Sequence, residues 1–272
     1  MPTLTRFSPF LQVKDGAEKP PILIAHGLSG TVQIQKLARN IRTDHPVYGI
    51  QAKGIDGKDQ PLDRVEDMAA FYLDALEEQF PDDAYILIGY SFGGLIALEM
   101  AQRLQEKGKC VARLVLVDTY PHPRFMSPFP RMRLFLRRMR IHVHNMRQMP
   151  ASEAWSYFLA AVKRRLGLVK AFHESDPPRG ADQESVLIRV NQKAYLAYTR
   201  YQPRFYRGTI KFVKTAKKTF FPAHPATVWK RLAVKLEVEA VPGDHLNIMT
   251  THFESLATVL TRYVKEAECE RR

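Results

Sequence analysis

The chain has 272 residues, 45% of them hydrophobic, and a formal net charge of +13. This length suits one globular domain with room for an insertion. The absence of a long uncharged apolar run excludes a membrane-spanning helix. Met1-Pro2-Thr3-Leu4-Thr5-Arg6 lacks the apolar stretch of a secretory leader, so a cytoplasmic location is expected. Cys110 and Cys269 have neither metal nor redox spacing and read as reduced thiols; no metal and no cofactor are expected.

Charge is unevenly placed. Residues 1–120 carry 13 Lys/Arg against 16 Asp/Glu, residues 121–170 carry 11 against the single acid Glu153, and residues 171–272 carry 17 against 11. The excess therefore concentrates in one middle segment. In chain order, apolar runs at Ile22–Ala25, Val47–Ala52, Tyr85–Tyr90, Arg113–Val117, Ile210–Val213 and Leu236–Val241 predict strands. Between them, helices are predicted over Ile34–Ile41, Val65–Phe80, Gly94–Glu106, Pro225–Ala233 and about Phe253–Ala267. Ile86-Leu87-Ile88 and Leu114-Val115-Leu116-Val117 are apolar without alternation, as strands covered on both faces must be. This alternation predicts an α/β fold with a mostly parallel twisted sheet and helices on both faces. The rhythm breaks after Tyr120 at Pro121, Pro123, Pro128 and Pro130. Helix-like runs follow at Arg131–Arg147, Ser152–Arg165 and Gln183–Tyr201 before the next strand signal. An excursion of that length exceeds a plain connection. Residues 121–205 are read as a basic helical lid over the carboxyl ends of the strands, and 1–120 with 206–272 as the core.

The most informative stretch is Gly89-Tyr90-Ser91-Phe92-Gly93-Gly94. It is G-x-S-x-G between a predicted strand and a predicted helix, the context of a nucleophile elbow. The glycines allow a sharp turn and close packing around the serine. A serine hydroxyl needs a base, and the base needs an orienting group. In α/β-hydrolases these follow in the order serine, acid, histidine. His245, in Val241-Pro242-Gly243-Asp244-His245 after the last predicted strand, is placed to be the base. His224 before a helix and His252 beside the last one are less suited. The acid emerges largely by elimination. No Asp or Glu occurs from Ser185 to Leu236, which empties the position after Ile210–Val213. Asp244 adjoins His245, and Glu237 and Glu239 belong to the last strand. Asp118, ending the strand after the elbow strand, remains; its alternative role is to cap a turn. For the oxyanion hole, one backbone N–H is expected from Phe92. The other is expected from His26-Gly27-Leu28-Ser29-Gly30, with Leu28 as first candidate and Gly27 next.

On these pieces the chain resembles the thioesterase domains of nonribosomal peptide and polyketide synthases and their free-standing relatives. Val47–Gly54, Met68-Ala69-Ala70-Phe71-Tyr72, Gly89–Gly94, Leu114–Asp118 and Val241–His245 carry the resemblance in order. It implies the α/β-hydrolase fold with a helical lid insertion, and an acid at Asp118. It also implies cleavage or transfer of an acyl group held as a thioester on a carrier protein's phosphopantetheine arm, or on coenzyme A. The loop at His26 departs from the family's common His-Pro-x-Gly-Gly, which leaves the second oxyanion donor open between Leu28 and Gly27.

Arg131, Arg133, Arg137, Arg138 and Arg140 alternate with apolar residues at helical spacing. This reads either as a solvated helix packed by its apolar face or as a docking surface for an acidic carrier protein. Contact with anionic membrane is a weaker reading, and nucleic acid is not expected. Phe125, Phe129, Trp155, Tyr157 and Phe158 are candidates to shape an acyl pocket. Three functions stay open beside the carrier-linked thioesterase: a carboxylesterase or lipase on oxygen esters, an acyltransferase, and a binding protein that kept the fold.

Overall fold

The structure is a computed structural model. It describes residues 7–25, 27, 32–81, 84–126, 183–217 and 224–269, together with 128, 129, 131, 132, 135, 136, 139, 140 and 143. A seven-stranded sheet organises them. Its strands are β1 (Phe10–Lys14), β2 (Ile22–Ala25), β3 (Val47–Ile50), β4 (Ala84–Tyr90), β5 (Cys110–Val117), β6 (Tyr206–Thr215) and β7 (Ala233–Val241). Their order across the sheet is β1-β3-β2-β4-β5-β6-β7. β1 runs antiparallel to β3, and every other pairing is parallel.

The helices are α1 (Val32–Asn40), α2 (Val65–Gln79), α3 (Phe92–Glu106), α4 (Gln183–Arg200), α5 (Ala226–Trp229) and α6 (Phe253–Cys269). The period of two along each strand sends neighbouring residues into two separate cores. Ile22, Ile24, Ile86, Ile88, Val115 and Val117 pack with Leu37 of α1 and Leu260 of α6. Leu23, Ala25, Tyr85, Leu87, Leu114 and Leu116 pack with α2, α3 and Trp229 of α5. Neither face of the central strands meets water, so their apolar runs are unbroken. Each such buried aliphatic side chain contributes about 1.5–3 kcal/mol, and Leu87→Ala at the sheet centre would cost roughly 2–5 kcal/mol.

Two expectations need correction. β1 was not anticipated: Phe10 alone of its residues is buried, and its pairing partner β3 lies 33 residues and more downstream in sequence. The helix expected over Pro225–Ala233 is only the short turn α5, because Ala233 already pairs with Tyr206 as the first residue of β7. Between β5 and β6, a 3-10 turn at Pro123–Phe125 and α4 are described. Arg131, Met132, Phe135, Leu136, Met139, Arg140 and Val143 are helical. The run Ser152–Arg165, with Trp155, Tyr157 and Phe158, lies outside the described residues. No helix of the described residues is long and apolar enough to cross a membrane.

Candidate active site

Close packing between strand and helix creates the elbow. A Cβ on Gly89 would sit 2.3 Å from the Cα of Gly94, and one on Gly94 would sit 2.0 Å from Thr119 Oγ1. Side chains at either position would force α3 away from the sheet. Ser91 stands between them with φ 54° and ψ −119°. The other non-glycine residue at positive φ among the described residues is Asp118, at 44°. Such conformations cost about 1–3 kcal/mol each and persist only where surroundings enforce them.

Hydrogen bonds between adjacent strand ends supply that enforcement. Ser91 N–H donates to Val117 O at 2.9 Å, and Asp118 N–H donates to Val213 O at 2.8 Å. Thr119 Oγ1 donates to Val117 O at 3.2 Å. Trp229 Nε1, fully buried, donates to Thr119 O at 2.9 Å. The two strained residues thus lie on neighbouring parallel strands at one height. Asp118 is buried, at 2% exposure.

The loop from Val241 to Phe253 brings the histidine. Gly243, at φ 96°, starts its turn; a Cβ there would lie 2.4 Å from His252 Cδ2. Asp244 Oδ1 accepts from the N–H groups of Leu246 and Asn247, and Oδ2 from Asn247 Nδ2. Asp244 is therefore spent on the turn. His245 Nδ1 lies 2.7 Å from Asp118 Oδ2, and its Nε2 lies 3.0 Å from Ser91 Oγ. An ionised carboxylate can only accept, so Nδ1 carries the proton and leaves the Nε2 lone pair for the serine hydroxyl.

Tyr90 was not singled out from the sequence, yet it holds this loop. Its hydroxyl donates to the main-chain oxygen of His245. Its ring stacks on the imidazole with centroids 5.2 Å apart. Burial keeps the Tyr90 hydroxyl protonated, its pKa pushed well above the ordinary tyrosine value, with the charge of Asp118 adding to the effect. No spacing rule signals such a contact, because the partner is a backbone atom of the residue it positions.

Of the oxyanion candidates, Phe92 opens α3 directly after Ser91. Gly27 lies beside the serine, a Cβ there falling 3.4 Å from Ser91 Cβ. Leu28 lies outside the described residues, as do Arg133, Arg137 and Arg138. Arg131 and Arg140 are helical and exposed. His224 Nδ1 accepts from Ala226 N–H at 3.2 Å, at the start of α5.

The elbow, the strand order and the placement of serine, acid and histidine after β4, β5 and β7 define an α/β-hydrolase fold. Comparison with known proteins narrows this. The family model described as the thioesterase domain matches residues 20–263. The chain belongs to that family. A dimodular nonribosomal peptide synthase of Bacillus subtilis (strain 168) is 36% identical over 113 residues, which is 41% of this chain and 5% of that protein. The polyketide synthase PksR of the same organism is 35% identical over 114 residues, 42% of this chain and 4% of that one. The chain thus matches about a twentieth of the length of these relatives. Among solved structures, the NocB thioesterase domain in covalent complex with a fluorophosphonate nocardicin G analogue is 25% identical. It superimposes with a TM-score of 0.61 over 91% of this chain and 96% of that one. The type II thioesterase BorB from the borrelidin biosynthetic cluster shares the fold, with a TM-score of 0.63, 15% identity and coverage of 96% and 97%.

Proposed function

We propose that this member of the thioesterase family cleaves acyl thioesters through an acyl-enzyme on Ser91, with His245 as base and Asp118 as its orienting acid. The observation that carries the reading is the continuous relay Asp118 Oδ2–His245 Nδ1 at 2.7 Å and His245 Nε2–Ser91 Oγ at 3.0 Å. Ser91 Oγ attacks the acyl carbon while its proton passes to Nε2. Collapse of the tetrahedral intermediate breaks the C–S bond, and the departing thiolate takes that proton. Water then attacks the ester with Nε2 again as base, freeing the acid and restoring the serine. Asp118 stabilises the imidazolium that forms twice in the cycle without itself taking the proton. The N–H of Phe92 and one from the loop containing Gly27 would receive the oxyanion.

The thiol carrier in this reading is the phosphopantetheine arm of a carrier protein, with coenzyme A as the simpler donor. The partial match to a nonribosomal peptide synthase and a polyketide synthase supports such a carrier. Exposed Arg131 and Arg140, within a segment rich in arginine, give an acidic carrier a surface of opposite charge. The segment 121–205 acts in this reading as the lid.

The test is intact-protein mass spectrometry of wild type and Ser91→Ala mixed with an acylated carrier protein or with an oxygen ester. An acyl adduct on wild type alone, formed faster from the carrier, is expected. Adduct formation from the oxygen ester alone would make the protein an esterase. A stable adduct released only by an added amine or alcohol would make it an acyltransferase.

A further inference from the structure

The sheet has two edges, and they are made differently. β1 is five residues long, and its register with β3 slips between Gln12 and Lys14. A short strand with a bulge is a poor template for a further strand. β7 forms the opposite edge. It is nine residues long, holds neither proline nor glycine, and pairs with β6 without a slip from Lys235 to Val241. Among the described residues no strand pairs with its outer side. Its outward N–H and C=O groups therefore form an open ladder.

The side chains of β7 alternate between the two faces of the sheet. Val234, Leu236, Val238 and Ala240 share one face. Leu236 and Val238 pack in part on the core that contains Trp229, while Val234 is 69% exposed. Lys235, Glu237 and Glu239 share the other face, beside α6. There Lys211 and Lys235 both reach Glu237, and Arg262 and the Tyr263 hydroxyl reach Glu239. One row is thus apolar, and the other is charged with a cation at one end and an acid at the other.

From this we infer that β7 is a docking edge for a second copy of this chain, which adds its own β7 antiparallel about a two-fold axis at Glu237. Glu237 is the middle residue of the strand, so this register pairs all nine residues. Lys235 then faces Glu239 of the second copy, Leu236 faces Val238, and Val234 faces Ala240. Each pairing occurs twice, as a self-complementary contact requires. The two Glu237 carboxylates meet at the axis, each already held between Lys211 and Lys235. In either copy the charges of Lys211 and Lys235 cancel those of Glu237 and Glu239. A parallel, in-register pairing would instead set Lys235 against Lys235 and Glu239 against Glu239. An antiparallel slip of one residue would set the charged row against the apolar one. One strand from each copy is a small contact, of the transient class, so the dimer exchanges with monomer. The carboxyl ends of the two sheets point in opposite directions, which leaves both Ser91 sites open.

The test is sedimentation equilibrium of the full chain at concentrations reaching about 1 mM, with circular dichroism confirming the fold of each variant. Wild type should pass from monomer to dimer. Lys235→Glu sets acid against acid across the axis, and Glu239→Lys sets cation against cation. Each alone should associate at least about tenfold more weakly than wild type. An equimolar mixture of the two variants should recover to within about threefold, because in the mixed pair every Glu again faces a Lys. Hydrogen exchange of wild type reads the edge itself: amides of β7 should gain protection at high concentration while those of β1 do not change. A wild type that stays monomeric throughout would overturn the dimer. So would species that keep growing with concentration, since a contact of β7 with β1 does not close on itself. A dimer indifferent to both charge reversals, or one formed without added protection in β7, would put the contact elsewhere and sink the docking edge. Two weakened variants whose mixture does not recover would sink the antiparallel register.

Discussion

Among the described residues, two histidine–carboxylate pairs lie at opposite ends of the sheet, and they are built in reverse. At the carboxyl ends of β4 and β5 the acid is hidden and the imidazole is open: the Asp118 side chain is 2% exposed and that of His245 is 19%. At the other end the imidazole is hidden: the His45 side chain is 3% exposed and that of Glu268 is 35%. His45 Nδ1 lies 2.7 Å from Pro20 O and its Nε2 lies 3.0 Å from Glu268 Oε1, so both ring nitrogens face acceptors. Lys19 Nζ donates to the same carboxylate at 2.8 Å. His45 has no nitrogen left for a reacting group, whereas His245 faces a hydroxyl through Nε2. Proximity to a carboxylate therefore does not by itself suit a histidine to act as a base; a second nitrogen facing a hydroxyl does. The pair at Glu268 ties α6 to the segments that precede β2 and β3.

Substitutions should separate the two pairs. The largest effect is expected from Asp118→Asn, which leaves the shape and removes the charge that fixes the tautomer: kcat should fall about 10⁴-fold, with the melting temperature little changed. Stopped-flow acylation of the variant would check it, and activity within tenfold of wild type would remove Asp118 from the relay. Tyr90→Phe should then lower kcat about tenfold with little change in KM, because the loop carrying His245 loses its tether. Equal loss in kcat and gain in KM would instead indicate general loosening. His45→Ala should leave kcat/KM within about twofold while costing on the order of 2 kcal/mol of stability, read from urea unfolding. A kinetic loss as large as that of Asp118→Asn would erase the contrast. The smallest effect concerns acid. The Glu268 carboxyl is held below the ordinary glutamate range, first by its hydrogen bond to Lys19 and then by His45 and the attendant charges. A depressed carboxyl contributes stability above its unfolded pKa, about 4.3, and loses that contribution as pH falls toward the folded value. Glu268→Gln should therefore lower stability slightly at neutral pH and flatten the acid side of the stability–pH curve, with variant and wild type converging as pH falls through the folded pKa. The same logic holds at the edge strand, where Lys211, and after it Lys235, pull Glu237 down to about 2.

What the sequence revealed follows from the physics of each element. The central parallel strands were legible because both faces are buried, so their apolar runs carry no ambiguity of period. The elbow was legible because its glycines are steric necessities, and Asp118 because no other acid stands near a usable strand end. β1 was illegible: its residues are mostly half-exposed, and its place at the sheet edge is decided by pairing with β3. α5 was overextended because an apolar Val-Trp-Lys-Arg-Leu-Ala stretch suits a helix as well as a strand, and only the register with β6 decides it. Tyr90 and Trp229 escaped notice for a common reason. Each acts through a hydrogen bond to a main-chain oxygen far away in sequence, of His245 and Thr119 respectively.

The chain leaves the sheet just past Asp118 and Thr119 and rejoins it at Tyr206, in the strand adjacent to the one it left. Both ends of that detour are pinned by the sheet. Ser91, Asp118 and His245, the residues proposed to bear the reaction, all lie before it or after it. A change in the length or composition of the detour therefore need not disturb the strand ends that hold these three residues, which leaves the two parts of the molecule separable in design.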